Sequence, residues 1–274
     1  MAKIGLIVID GQKDFCEGGK LAVNGGNAAM TKLANLIDRA GDKLDSIDLT
    51  LDAHHQHHIA HACMWQDKDG NHPGAYTTIR PGDCWEAVTP AWSWFQIQYL
   101  VDLEKRNDER IKLGLAPFYH TIWPDHCLIG TDGVSINNDL LKATFAWELK
   151  KKQPANKTIK GSFMFAEHFS VFKPEVRDKL QDFDQTNYKL IQRLEDLDVL
   201  AWAGLAKDYC VMNSFIDFIT LASEGVKDAE ELMKKMVFLD DGTAAVGAVP
   251  TLETSFDEYL SNGVTRTTID NFLQ

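Results

Sequence analysis

The sequence predicts an α/β fold built on a mostly parallel sheet. Three observations carry this. Short apolar runs of strand length recur along the chain, stretches with helical apolar spacing separate them, and residues able to do chemistry gather just past the ends of the runs. In open parallel sheets, sites form in the crevice beyond the carboxyl ends of the strands, so those positions merit attention first.

Taken in order, "KIGLIVI" (3–9) is a continuous apolar run rich in β-branched residues and reads as a buried parallel strand. The runs "IDLTL" (47–51), "APFYHTI" (116–122), "DVLAWAG" (198–204) and "KMVFLDD" (235–241) read the same way. Helical spacing covers 27–41, with Leu33, Leu36 and Ile37 on one face, and also 183–196, 209–225 and 248–261. Residues 62–116 break the alternation. They hold Trp65, Trp85, Trp92 and Trp94 and the charged run "DLEKRNDER" (102–110). A structureless loop of that length is improbable in a compact domain, so a helix is expected at about 88–112, serving as a lid over the strand ends or as a subunit interface.

The chain has 274 residues, is 45% hydrophobic and has a net charge of −12. This suits one domain over 1–274 with an insertion at 62–116. No basic block marks nucleic acid as a partner. No apolar run approaches the ~18 residues that span a membrane, and the N-terminus turns acidic too soon for a secretory signal. Five widely spaced cysteines without a C-x-x-C do not form a disulfide framework. A reducing, cytoplasmic setting is expected. Homo-oligomerisation is left open.

Four constellations follow the apolar runs. "DGQKDF" (10–15) sets Asp10 and Asp14 on the turn leaving the first strand, where a carboxylate can serve as a base or simply cap a turn. "LDAHHQHHIAH" (51–61) places Asp52 and His54 on one side of an extended segment, with His58 about a turn later, a donor set for zinc, iron or manganese. "WPDHC" (123–127) follows the third apolar run, and His126 would complete the set if that strand lay beside the second. "GLAKDYCV" (204–211) puts Cys210 where a strand becomes a helix, which would lower its thiol pKa toward neutrality and offer backbone N–H groups to an oxyanion. A lone buried cysteine is more often structural. Lys160, in "TIKGSF", could support a thiolate.

Together these segments, in this order, resemble the isochorismatase-like cysteine hydrolases, and most closely the nicotinamidases among them. "LIVIDGQKDFCEGGKLAVNGG" is similar to the opening strand with D-x-Q-x-D-F, "LDAHHQHHIAH" to the D-x-H-x-x-x-H loop, and "WPDHCLIGTDG" to W-P-x-H-C-x-x-G-T-x-G. "IKGSFMFAEHFSVF" resembles the Lys-Gly segment and "GLAKDYCVMNS" the nucleophile turn. The resemblance implies a three-layer α/β/α architecture around a Rossmann-like sheet and a triad of Asp14, Lys160 and Cys210. It implies one divalent metal ion, zinc before iron or manganese, on Asp52, His54, His58 and His126. It also implies a cis Leu205–Ala206 peptide, oxyanion donors at Ala206 and Cys210, and a pocket walled by Phe15, Leu21, Trp123, Phe169 and Tyr209. The implied reaction converts nicotinamide to nicotinate and ammonia through a thioester, a step of NAD salvage, with a small-molecule amide as the substrate. His55, His57 and His61 leave the choice among the histidines open, and Phe169 stands where the family usually has Tyr.

Rival readings are a same-fold amidohydrolase for a ureido, carbamoyl or biuret-like amide and a metal-binding interaction protein without activity. An isochorismate-type hydrolase lacks a thiol at the Cys210 position. A non-haem iron oxygenase would leave Asp14, Lys160 and Cys210 idle.

Overall fold

The computed structural model describes residues 2–176, 186–225 and 228–274. Its centre is a six-stranded sheet of β1 (Ile4–Ile9), β2 (Ser46–Asp52), β3 (Asn156–Lys160), β4 (Val199–Leu205), β5 (Met236–Ala244) and β6 (Thr265–Thr267). The spatial order is β6-β5-β4-β1-β2-β3, and every pairing is parallel. The β1 side chains from Leu6 to Ile9 are fully buried, as a strand covered on both faces requires.

Among the described residues the α-helices are α1 (Gly26–Ala40), α2 (Ser93–Lys112, within the insertion), α3 (Asn138–Lys151), α4 (Tyr188–Glu195), α5 (Met212–Gly225), α6 (Ala229–Lys235) and α7 (Pro250–Leu260). The chain moves one way across the sheet from β1 to β3 and the other way from β4 to β6. Right-handed crossovers therefore place α1 and α3 on one face and α5, α6 and α7 on the other. Accordingly α1 packs on α3, while α5 packs on α4 and α6. The reversal falls between β1 and β4, which opens a crevice at their carboxyl ends.

Four strand expectations are met at β1, β2, β4 and β5. The fifth is corrected. Within 116–122 only His120–Thr121 is extended, and it pairs antiparallel with Thr78–Ile79 outside the central sheet. Tyr76 N–H donates to Ile122 O and Ile122 N–H to Thr77 O beside the same small ladder, so the insertion satisfies this run itself. The strand beside β2 is β3. It is an edge strand with alternating exposure, and it covers the start of the short apolar run "TIKGSF" (158–163) that carries Lys160. Helix α3 also went unanticipated, although Leu140, Ala143, Thr144 and Trp147 form its buried face and the Asn137 side chain caps it through the Asp139 N–H. The start of the helix expected at 183–196 lies outside the described residues, and α4 covers the remainder.

Helix α2 occupies the expected stretch and packs against neighbouring elements. Its Gln96 amide donates to Met64 O (2.9 Å), Arg106 pairs with Glu175 and with Asp217 of α5, and Arg110 reaches Asn213. Two side chains of the 62–122 region, Trp65 and His120, bond to Ile59 O from behind the histidine-rich loop. No helix among the described residues is long and apolar enough to cross a membrane. All five cysteines are unpaired with one another.

Candidate active site

Strand register assembles the site. Asp52 stands opposite Lys160 at the carboxyl edge of the β2–β3 pair, and Ile9 stands opposite Gly204 in the β1–β4 pair. Gly204 has φ +125°, and a Cβ there would lie 2.0 Å from Ile9 O, so only glycine lets β4 pass so close to β1. The next residues, Asp10 and Leu205–Ala206, reach the crevice together, and the Leu205–Ala206 peptide is cis as expected. A π-helical turn, Lys207–Val211, carries Cys210 into α5. Asn213 donates to Tyr209 O (2.9 Å) within that turn. The Asp208 carboxylate accepts the amides of Val246 and Gly247 (both 2.9 Å), which fixes one pocket wall.

Lys160 is the hub. Its Nζ lies 2.8 Å from Asp10 Oδ2, 3.2 Å from Asp52 Oδ1 and 3.6 Å from Cys210 Sγ, and it donates to His168 O at 2.7 Å. Burial pulls the Lys160 pKa down, but Asp10 and Asp52 outweigh it and hold the ammonium well above its ordinary range. Asp10 is completely buried and accepts from Thr50 Oγ1, and the Lys160 ammonium that it pairs with also touches Cys210 Sγ. Burial raises its carboxyl pKa, with Lys160 opposing.

Two expectations are corrected here. The carboxylate beside Lys160 and Cys210 is Asp10, not Asp14. Asp14 spends its oxygens on the amides of Cys127 (2.7 Å) and Lys20 (3.0 Å), tying the first loop to the "WPDHC" segment. Nor is the Cys210 thiol lowered toward neutrality. Burial drives it well above its ordinary value, with Lys160 pulling the other way, so the helix terminus does not prevail in the closed site.

"WPDHC" does reach the extension of β2, although no sheet strand leads into it. His54 N–H donates to Cys127 O (3.0 Å) and Trp123 N–H to Ala60 O (2.8 Å), which lays the two loops side by side. Four imidazoles then cluster, with His54 4.3, 4.9 and 5.5 Å from His58, His126 and His61 by ring centroid. Three rings bond a backbone carbonyl through Nδ1: His54 to Gly161 O (3.0 Å), His126 to Pro124 O (2.8 Å) and His61 to Gln56 O (3.1 Å). Such bonds leave Nε2 as the free donor. For His54 and His126 it faces Asp52 Oδ2, at 2.9 and 3.7 Å. Lone pairs aimed at a carboxylate call for a cation between them, and the buried Nε2 atoms of His58 and His61 have no hydrogen-bond partner. The residues therefore fit a divalent metal. Their ligand atoms form two overlapping groups, Asp52–His54–His126 and His54–His58–Glu167. Burial and the neighbouring His54 and His61 keep His58 well below the ordinary imidazole range. Burial, His126 and His54 bring His61 to about 4. Burial pushes the Asp52 carboxyl up, but His54 and Lys160 outweigh it and hold it well below the usual range. Gly161 is required as well, since a Cβ there would sit 2.3 Å from Asp52 Oδ1.

The five expected pocket residues line one cavity with Asp52, His126, Ala206 and Cys210. Trp123 meets Tyr209 edge-on at 4.9 Å, and Phe169 lies 5.5 Å from Tyr209. Glu167 and Val246 are further members of this region that the sequence does not mark, while among the histidines left open His61 joins the cluster. Burial, and Asp52 after it, raise the Glu167 carboxyl to about 8. A single Glu in "FAEHFS" carries no spacing signal that would have marked it.

No family model matches the chain. Among curated proteins, it is 23% identical to the nicotinamidase of Acinetobacter baylyi over 268 residues, 98% of this chain and 94% of that one. It is 24% identical to the nicotinamidase of Escherichia coli over 216 residues, 79% of this chain and 76% of that one. Solved structures superpose over nearly full length. A nicotinamidase/pyrazinamidase of Acinetobacter baumanii gives a TM-score of 0.64 at 19% identity, covering 100% of this chain and 99% of that one. The Pyrococcus horikoshii pyrazinamidase in complex with zinc gives 0.52 at 19%, covering 97% and 99%. An isochorismatase-like hydrolase from Alkaliphilus metalliredigens gives 0.51 at 16%, covering 100% and 98%. The protein thus has the isochorismatase-like α/β hydrolase fold. Its curated homologues are nicotinamidases, enzymes that hydrolyse an amide C–N bond.

Proposed function

We propose that this protein is a cysteine amidohydrolase that converts nicotinamide to nicotinate and ammonia, working in a reducing cytoplasm where its five thiols stay free. The observation that carries the reading is Lys160 Nζ lying 3.6 Å from Cys210 Sγ and 2.8 Å from Asp10 Oδ2 at the end of an aromatic-walled cavity. Asp10 takes the thiol proton, and Lys160 balances the charge that forms. The sulfur attacks the amide carbon, while the amides of Ala206 and Cys210 receive the oxyanion. Asp10 returns the proton to the departing nitrogen, the C–N bond breaks, and ammonia leaves a thioester. Water then attacks the thioester and gives its proton to Asp10. The C–S bond breaks, the carboxylate product leaves and the thiol is restored.

Asp52, His54 and His126 would hold one divalent ion, zinc before iron or manganese, with His61 and His58 alongside. When bound, such an ion supplies a Lewis-acidic anchor for a ring nitrogen, and orientation of this kind contributes several kcal/mol to a reaction. Phe15, Leu21, Trp123, Phe169 and Tyr209 sandwich the ring. The test is ammonia release from nicotinamide, with ureido and biuret-like amides in parallel. Cys210→Ala is expected to bind nicotinamide and release no ammonia. Undiminished hydrolysis by that variant would refute the assignment, and turnover of only the ureido amides would move the substrate class.

A further inference from the structure

Helix α2 reaches the nucleophile turn through one side chain. Arg110 is 4% exposed, and its guanidinium spans three acceptors. Nε donates to Ala116 O (3.0 Å), Nη1 to Asn213 Oδ1 (2.8 Å) and Nη2 to Met212 Sδ (3.7 Å). Asn213 in turn donates Nδ2 to Tyr209 O (2.9 Å), the carbonyl that precedes Cys210. The same guanidinium lies 4.6 Å over the Phe118 ring, and Phe118 meets the pocket residue Phe169 edge-on at 5.5 Å. A fork of fixed geometry can hold three acceptors at once, whereas a lysine ammonium cannot match that spread.

Docking α2 does not require this residue. Arg106, one turn earlier, already pairs with Glu175 and Asp217, whereas none of the hydrogen-bond acceptors of Arg110 is a carboxylate. Burial, then the neighbouring Arg106, pulls the Arg110 pKa down to about 10, still charged at neutral pH. A guanidinium buried on neutral acceptors is costly to keep, and a leucine would pack the same space.

We propose that Arg110 is a positioning residue for Cys210, fixing the π-helical turn through Asn213 and tying the inserted segment to the chemistry. The inference rests on Cys210 being the nucleophile, as proposed above. Its test uses two readouts on the full chain: nicotinamide turnover, and the rate and pH midpoint of Cys210 alkylation by iodoacetamide, followed by peptide mass spectrometry. Arg110→Lys and Arg110→Met are expected to lower kcat on the order of tenfold or more, with KM changing less, and to shift the alkylation midpoint. Asn213→Leu should do the same, and the Arg110→Met/Asn213→Leu double variant should lose no more than the worse single. Arg106→Lys should lower the Tm while leaving kcat and alkylation as in the parent. Wild-type kcat and alkylation in Arg110→Lys, or losses that add in the double variant, would overturn the proposal. A parent protein without amide hydrolysis would instead sink the proposed function, and the alkylation profile would then decide this inference by itself.

Discussion

Asp10 and Asp14 lie four residues apart on one loop, yet their carboxylates face different neighbours. Asp10 meets the Lys160 ammonium that also touches the Cys210 thiol, while Asp14 meets two backbone amides. Asp10→Asn keeps the shape and removes the proton acceptor, so kcat should fall about 10²–10⁴-fold in an ammonia-release assay. Asp14→Asn weakens a loop tether. It should cost about 1–3 kcal/mol in denaturant unfolding while turnover of the folded fraction survives. The opposite pattern, an active Asp10→Asn beside a folded but dead Asp14→Asn, would return the role to Asp14. The two residues share type and neighbourhood, and nothing in the local sequence says which will face the thiol. The separation comes from Lys160, 150 positions further along.

Among the elements, the small ladder of Thr78–Ile79 with His120–Thr121 anchors the insertion behind the histidine loop. His120 is buried between Trp65 and Tyr99 at 5.2 and 5.3 Å, bonds Ile59 O, and is held by burial at about 4 rather than 6.5. A base whose folded pKa is depressed takes up its proton more readily when unfolded. Its stabilising contribution is therefore complete above about 6.5 and is lost as pH falls toward 4, with a span on the order of 3 kcal/mol. His120→Phe should flatten the Tm-against-pH curve in that window and leave it unchanged above pH 7. An unaltered acid limb, measured by calorimetry, would mean that His120 is not buried as a neutral ring.

For the whole molecule, the imidazole cluster links metal binding to stability, because the ligand loops at 52–61 and 123–127 come together only in the folded chain. Anything that binds the folded state alone stabilises it, by about 2.7 kcal/mol at a hundredfold excess over Kd. Chelation should lower both the Tm and nicotinamide turnover, and added zinc should restore both. His54→Ala should abolish the Tm response to zinc. A chelated parent with full turnover and an unmoved Tm would remove the metal from the reading.

The sequence alone settled the class of fold, four of the six strands, and which segments carry the chemistry. These features are local: hydrophobic runs, helical spacing, and polar residues at the ends of strands. At the edge strand β3 the signal was weaker, a short apolar run at 158–163 with alternating exposure before it, which did not place it in the sheet beside β2. Tertiary structure decided which members of each segment meet. It chose Asp10 over Asp14, picked His61 out of the histidines left open, added Glu167 to the cluster, and turned 116–122 away from the sheet. The reason is register: contacts among β1, β2, β3 and β4 join residues far apart in the chain, and a carboxylate or imidazole acquires its role only from the charge and lone pairs set opposite it.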